Sequence, residues 1–267
     1  MLKQRDFTLD IYSQFLRVLQ ESGYLFFTFE EYCSNKTNGK YILLRHDVDL
    51  RAPNSLSVAK AEHELEIKST YYFRVVPESN QPEIIQQIAA LGHEIGYHYE
   101  DLSLLKGDMP TAISHFEQQL TYFRNFYPVQ TICMHGSPTS QYDNKDLWLQ
   151  FDYHSFGIIG EPYFDIFGAG HKKAVKDIYY LTDTGRMWNG DRFSIRDKVA
   201  VNQLLDYKST YELIDAAGKG LLPNKIMITT HPQRWSAHYV EWLYEFLMQG
   251  SKNLIKWLLV KIRFWCG

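Results

Sequence analysis

Short apolar runs alternate with helical stretches along most of the chain, and this alternation restricts its fold more than any other feature. Apolar runs without a polar face are typical of strands buried on both sides, and parallel strands need crossover helices between them. We therefore expect an α/β fold with a buried parallel sheet and enough units to close a barrel. The strands are predicted at 41–47, 69–75, 93–98, 131–136, 154–159, 177–183 and 225–231, and helices at 54–67, 82–91, 110–126 and 209–218.

The chain of 267 residues contains no linker, repeat or low-complexity stretch, so a single domain is expected. We predict an N-terminal helix and loop over 1–40 that pack on the barrel, the barrel itself over 41–250, and an amphipathic tail over 251–267. Lys252, Lys256 and Arg263 share one stripe of the tail, which is otherwise mostly apolar. We expect it to dock on the barrel, and peripheral contact with a membrane is the alternative.

Charge and cysteine content narrow the class of protein. The formal net charge is −3 and no basic stripe is present, so nucleic acid is not an expected partner. The three cysteines are widely spaced and predict neither a disulfide framework nor a zinc knuckle. The first residues lack the apolar core of a signal peptide, and no apolar run reaches membrane-spanning length. A reduced, cytoplasmic protein is expected.

Polar side chains follow the predicted strands at the point where each strand ends. In parallel β/α folds the carboxyl ends of the strands form the active-site face, so we expect these groups to meet there. They are Arg45, His46, Asp47, Asp49, His98, Glu100, Asp101, His135, Asp183, Thr230 and His231.

Asp47 and Asp49 are two residues apart in an extended stretch, so their side chains should point to the same side. Paired carboxylates near one centre suit a division of labour in which one binds a cation and the other acts as a base. His98 adds an imidazole, a common ligand of zinc and related ions. His46 should point the other way and is expected to be structural.

Four segments together resemble the polysaccharide deacetylases, also called the NodB-homology or carbohydrate esterase family 4 domain. PEIIQQIAALGHEIGYH (82–98) is similar to the second motif of that family, and STYYFRV (69–75) to the strand before it. RHDVD (45–49) resembles the first motif, and ITTHPQRW (228–235) resembles the last. The ordered set covers about residues 41–235 and indicates a divergent member. The resemblance implies a distorted (β/α) barrel with fewer than eight strands, and we expect seven.

The resemblance also implies roles for individual residues. Asp47 would be the general base, Asp49 a metal ligand, His98 a second ligand and His231 the general acid. The family has a further ligand histidine four residues after the first, where this chain has Leu102. Leucine cannot bind a metal, so another group must stand in.

Three residues are candidates for the third ligand: Glu100, Asp101 and His135. His135 is favoured, and it lies in MHGSP (134–138), where the family carries an arginine near the base. Mixed nitrogen and oxygen ligands fit a divalent ion, zinc first, with manganese, cobalt or nickel as alternatives.

The implied activity is hydrolysis of N- or O-linked acetyl groups on a carbohydrate, and the resemblance suggests bacterial surface-polysaccharide metabolism. Tyr163, Arg186 and Trp188, in loops rich in glycine, charge and aromatic residues, are predicted to line a sugar cleft, with ordinary barrel-capping loops as the alternative. Two other functions stay open. One is a non-catalytic carbohydrate-binding protein that has lost part of the metal site, and the other is a hydrolase of different C–N bonds such as cyclic amides.

Overall fold

The fold is built on one curled parallel sheet, a half-barrel open on one side. The computed structural model describes residues 5–137, 139–170, 173–188 and 205–265, with side chains described as far as residue 253. Its strands are β1 Leu25–Phe27, β2 Tyr41–Val48, β3 Thr70–Phe73, β4 Glu94–Tyr99, β5 Ile132–Met134, β6 Tyr179–Thr182 and β7 Lys225–Thr230. They pair in the order β5-β4-β3-β2-β7-β6, and β1 pairs with β2. The predicted α/β class and distorted barrel are confirmed.

Helices occupy the connections between the strands, as parallel pairing requires. Helix α1 precedes the first strand and α10 follows the last. The helices are α1 Leu9–Glu21, α2 Phe29–Cys33, α3 Ala52–Glu64, α4 Pro82–Ala90, α5 Asp101–Leu104, α6 Met109–Phe123, α7 Leu147–Gln150, α8 Pro162–Asp165, α9 Thr210–Gly218 and α10 Tyr239–Trp265. Within the described residues, 3₁₀ turns cover Asn144–Asp146, Tyr153–Phe156 and Pro232–Arg234.

Strand β2 lies at the centre of the sheet and all eight of its residues are buried. Its first half pairs with β1, its second half with β3, and its other edge with β7 as far as His46↔Thr230. A strand covered on both faces and both edges has no solvated side, which explains why its sequence does not alternate between apolar and polar. The carboxyl end of β2 therefore opens between the ends of β3 and β7.

The N-terminal segment contributes to the sheet as well as packing on it. The Thr8 hydroxyl caps α1 by accepting from the amide of Ile11 at 3.3 Å, and the helix buries Phe15 and Leu19. Residues 25–27 form β1, which the sequence analysis describes only as part of a helix and loop. Three residues are too few for a strand pattern to be recognised before the pairing partner is known.

The predicted strand at 154–159 is wrong. Residues Tyr153–Phe156 form a 3₁₀ turn, because the carboxylate of Asp152 accepts from the amide of His154 at 2.9 Å and Gly157, with φ of 71°, ends the turn. A single bridge between Thr131 and Gly160 is all that joins this segment to the sheet in the described part of the chain. The sheet thus has seven strands, as expected, with β1 in place of 154–159.

The C-terminal tail is part of a longer helix. Helix α10 begins at Tyr239 and continues to Trp265, so the boundary predicted at residue 251 falls inside one element. Among the described residues, no helix is both long enough and apolar enough to cross a membrane.

Candidate active site

Asp47, near the end of β2, is held by a buried arginine from the same strand. Arg45 donates from Nε to Oδ1 at 3.0 Å and from Nη2 to Oδ2 at 2.8 Å, a bidentate pair that the two-residue spacing puts on one face. Burial alone would raise the pKa of Asp47, but Arg45 and then His98 lower it below its usual value. Asp47 is therefore an ionised carboxylate in a fixed orientation.

Three imidazoles converge on the carboxylate of Asp49, one residue beyond β2. Nε2 of His98 and Nε2 of His135 each lie 3.6 Å from Oδ1, and Nε2 of His231 lies 3.7 Å from Oδ2. These distances are too long for hydrogen bonds, and Oδ1 is a buried atom without a hydrogen-bond partner in the part of the chain that the structure describes.

The spacing matches ligands that share one ion. Two donors bound at about 2.1 Å to a tetrahedral ion lie about 3.4 Å apart, close to the distances observed around Asp49. The surroundings also favour a positive charge at this point. Burial would lower the pKa of His98, but Asp47 and Asp49 raise it. Asp49, His98 and His135 therefore offer the mixed oxygen and nitrogen donors that divalent transition ions take, and each imidazole lies from Asp49 at the spacing of two ligands of one ion.

The second ring nitrogen of His98 and of His135, Nδ1, lies within hydrogen-bond distance of an acceptor oxygen. Nδ1 of His98 lies 2.9 Å from the backbone oxygen of Cys133, and Nδ1 of His135 lies 2.8 Å from Oε2 of Glu100. A proton on each Nδ1 leaves each Nε2 with a lone pair directed at Asp49, as metal-binding histidines require.

Glu100 supports His135 instead of facing Asp49 directly. Arg74 donates from Nε to Oε1 of Glu100 at 2.7 Å and from Nη2 to Oε2 at 2.9 Å. Burial would raise the pKa of Glu100, but His135 and Arg74 lower it to about 2. The carboxylate is thus ionised and fully occupied by its partners.

The other candidates for a third ligand lie away from this cluster. Asp101 accepts from the hydroxyl of Tyr97 at 2.8 Å and pairs with His115. Leu102, where the resembled family has a histidine, is 2% exposed and belongs to the hydrophobic core. Of the three alternatives, the structure brings only His135 next to Asp49.

A second set of possible ligands overlaps the first. Asp47, His98 and Cys133 each place one ligand atom within 4.8 Å of the others. Both oxygens of Asp47 are bound by Arg45, however, and the thiol of Cys133 donates to the backbone oxygen of Met134 at 3.6 Å. We favour the Asp49 set because Asp49 Oδ1 is the acceptor without a hydrogen bond.

His231 begins the turn after β7 and is fixed by Asp183 at the end of β6. Nδ1 of His231 lies 2.6 Å from Oδ1 of Asp183, and its amide donates to Oδ2 at 3.0 Å. Burial would raise the pKa of Asp183, but Arg234 and His231 lower it. The indole of Trp235 donates to the same carboxylate at 2.9 Å. An aspartate-bound imidazole with a free Nε2 is suited to proton transfer.

Sequence reasoning places Asp183 at a strand end but gives it no role, and it gives none to Arg234 or Trp235. The segment HPQRW (231–235) could have indicated these residues, because a polar cluster directly after a buried strand is unusual unless it binds something.

His46 points away from its aspartate neighbours, as expected. It is buried, and its Nδ1 lies 2.7 Å from the hydroxyl of Thr230.

The three residues predicted to contact a sugar do not lie together around Asp49. Trp188 is 3% exposed, donates from its indole to the hydroxyl of Thr210 at 2.9 Å and packs against Phe7. A buried ring offers no face to a pyranose, so the sugar contact predicted for Trp188 has to be corrected to a core position. Tyr163 is also buried, with its ring 5.7 Å from the guanidinium carbon of Arg45. Arg186 lines a separate cavity.

A polar groove of about 410 Å³ opens beside His135. Several of its hydroxyl and amide side chains come from the chain after β5, and they line the groove together with His135. The groove is lined by Arg74, Glu100, Ser103, Leu104, Lys106, His135, Ser137, Thr139, Ser140, Gln141 and Tyr142.

Comparison with solved structures found similarity to carbohydrate esterases. A CE4 family pseudoenzyme from Bacillus anthracis matches with a TM-score of 0.43 at 10% identity, over 80% of this chain and 62% of that one. The Xyl-CE4 domain of a multidomain xylanase from the hindgut metagenome of Trinervitermes trinervoides matches with 0.42 at 14%, over 81% and 85%. A family 4 carbohydrate esterase from Bacillus anthracis matches with 0.36 at 11%, over 89% and 84%.

The alignment thus spans less than two thirds of the pseudoenzyme's length. No protein-family model matches the chain, and no curated protein matches it. The family named by these structures is the one that the sequence motifs resemble.

Proposed function

We propose that the chain is a metal-dependent hydrolase that removes N- or O-linked acetyl groups from a carbohydrate, in bacterial surface-polysaccharide metabolism. The observation that carries the proposal is the convergence of three imidazole Nε2 atoms on Asp49, 3.6–3.7 Å away, beside the arginine-held carboxylate of Asp47. The similar structures support it, because two of them are named as a carbohydrate esterase and a CE4 domain of a xylanase.

Asp49, His98 and His135 would hold the ion, with zinc favoured and manganese, cobalt or nickel as alternatives. A divalent ion in such a site supplies Lewis-acid chemistry, lowering the pKa of a bound water and polarising the acetyl carbonyl. Glu100 and Arg74 fix His135, and the backbone oxygen of Cys133 fixes His98, so the donors are oriented before anything binds.

Asp47 accepts the proton of the attacking water. Its Oδ2 lies 3.9 Å from Nε2 of His98, close enough to the cluster to reach a water there. Arg45 occupies one lone pair on each oxygen and leaves others to receive the proton. The pair also keeps Asp47 ionised and out of the ligand set.

His231 delivers a proton to the leaving alcohol or amine as its bond to the acetyl carbon breaks. Asp183 binds Nδ1 and stabilises the imidazolium, so Nε2 is the atom that donates. One water is consumed and acetate and the deacetylated sugar are released. The proton taken up by Asp47 returns to His231 through solvent, and both groups regain their starting states.

Metal content tests the proposal directly. We expect mass spectrometry to find about one transition ion per chain in the wild type and little in Asp49→Ala and His98→Ala, because each removes a ligand. Asp215→Ala, an exposed carboxylate on α9, is the matched control and should keep the ion. Acetate release from acetylated oligosaccharides should follow metal content.

The opposite result has a clear meaning. A wild-type chain that takes up no ion after incubation with zinc, manganese or cobalt would contradict the hydrolase. It would favour the non-catalytic carbohydrate-binding protein, for which Asp49 and His98 matter only to stability.

Glu100→Gln is expected to weaken metal affinity by about 10- to 100-fold, because the amide no longer stabilises the proton on Nδ1 of His135. Competition with a fluorescent chelator would measure the change. Glu78→Gln, at an exposed position in the loop after β3, should leave the affinity unchanged. Equal affinities in wild type and Glu100→Gln would show that the support of His135 by Glu100 is dispensable.

A further inference from the structure

A second cavity, of about 840 Å³, lies outside the Asp49 cluster. Its walls come from residues 5–7, the turn 185–187 after β6, the start of α9 and the first half of α10. Hydrogen bonds join these walls. The amide of Asn253 donates to the backbone oxygen of Gly185 at 2.9 Å, and the indole of Trp242 donates to that of Asp6 at 2.6 Å. We call this cavity the tail pocket. Its volume suits a ligand of drug or lipid-headgroup size.

One wall of the tail pocket is formed by the rings of Trp242 and Phe246 on α10, and Tyr239 extends this ring stack beyond the lining. The rings of Tyr239 and Trp242 have centroids 6.2 Å apart and those of Trp242 and Phe246 5.3 Å, with interplanar angles of 15° and 8°. Phe246 is 53% exposed. A flat apolar surface of this kind is unfavourable in water and packs well against an apolar ligand.

Arg186 places a buried guanidinium against this wall. Its Cζ lies 5.2 Å from the ring of Phe7, 5.4 Å from Trp242 and 5.9 Å from Phe246. Arg186 is 9% exposed, and its Nη1 has no hydrogen-bond partner among the residues described. Burial lowers the pKa of Arg186, and the nearby acids do not offset it. A buried N–H without an acceptor is costly, and an anion would satisfy it.

Acidic residues near the pocket are already engaged. The two oxygens of Asp6 accept from backbone amides at 2.7 and 2.9 Å, and Glu245 pairs with Arg51 at 3.3 Å. Arg5 and Lys208 add two further cations to the lining. The pocket therefore combines an apolar wall with an excess of positive charge.

We propose that the tail pocket binds an anionic amphiphile, with its phosphate or carboxylate on Arg186 and its apolar body against Trp242 and Phe246. Both halves of that ligand are matched by side chains already in place. The guanidinium of Arg186, whose Nη1 has no hydrogen-bond partner among the described residues, takes the charge, and the rings of Trp242 and Phe246 take the chain. The inference does not depend on the proposed hydrolysis, because no residue of the Asp49 cluster lines this pocket.

Calorimetric titration of the full chain tests this binding without metal or substrate. The probes are octyl phosphate below its micelle concentration, octyl glucoside with the same chain and a neutral head, and inorganic phosphate with no chain. We expect octyl phosphate to bind at least about tenfold more tightly than either other probe, as a charged hydrogen bond added to apolar burial requires.

Two variants separate the parts of the ligand. Arg186→Met should remove the preference for octyl phosphate over octyl glucoside, and Lys219→Met, which removes an exposed cation directly after α9, should keep it. Phe246→Ala truncates an exposed ring, so the chain should still fold, and octyl phosphate should bind at least about fivefold more weakly. The proposal is overturned if octyl glucoside or free phosphate binds as tightly as octyl phosphate. It is also overturned if Phe246→Ala binds octyl phosphate like the wild type.

Discussion

Replacing Asp47 with asparagine is expected to lower kcat for acetate release by about 10²- to 10⁴-fold while the bound ion is retained. An amide cannot take the proton of the attacking water. It also presents an N–H to Arg45 where the carboxylate offered two acceptors, so the orientation of the side chain is disturbed as well. Steady-state acetate release and metal content, measured on the same preparation, test both halves of this expectation.

The control for Asp47→Asn is Asp215→Asn, which removes an exposed charge on α9 and should leave both activity and metal content unchanged. If Asp47→Asn instead lost the ion, the division of roles between Asp47 and Asp49 would be wrong. The alternative ligand set with Cys133 would then be favoured, and Cys133→Ser should lose the ion too.

The position of the site could be predicted from the sequence because strand direction decides it. Asp47 and His98 lie near the ends of strands that are recognisable by their apolar runs, and His231 directly follows another. The carboxyl ends of parallel strands meet at one edge. Two-residue spacing also put Asp47 and Asp49 on one side and His46 on the other. These inferences need only local periodicity and one rule of topology.

The sequence favours His135 as the third ligand but leaves Glu100 and Asp101 open. In the structure Arg74, directly after β3, binds Glu100, and Nε2 of His135 lies 3.6 Å from Asp49. The sugar contact predicted for Trp188 is wrong for a similar reason: its ring packs against Phe7, which lies about two thirds of the chain length away in sequence. Loop composition does not reveal a partner so distant in sequence.

The sequence pattern also does not indicate that a carboxylate on α3 is buried. Glu62 is fully buried, and it accepts from the hydroxyls of Ser69 at 2.6 Å and Tyr71 at 2.8 Å, and from that of Tyr12 on α1. Nε2 of His46 lies 2.8 Å from its Oε1. The group links the N-terminal helix, α3 and two central strands, so it ties the elements behind the catalytic face together.

Glu62→Gln is therefore expected to lower the free energy of unfolding by about 3 kcal/mol or more near neutral pH, because a buried charge network loses its central acceptor. Burial would raise the pKa of Glu62, but His46, His93 and Ser69 lower it from 4.5 to about 2. Folding thus favours the carboxylate, so its contribution is fully present above about pH 4.5 and is lost as the pH falls toward 2.

Urea unfolding of wild type and Glu62→Gln at several pH values, with a chelator present to remove any contribution from bound metal, would measure the difference. The gap between the two proteins should be widest near neutral pH and should narrow as acid protonates Glu62 in the wild type. Glu64→Gln, an exposed change on the same helix, should follow the wild type throughout. A gap that stayed constant from neutral to acidic pH would mean that Glu62 contributes packing and not charge. In that case the hydroxyls and imidazoles around it would be held in place by the core alone.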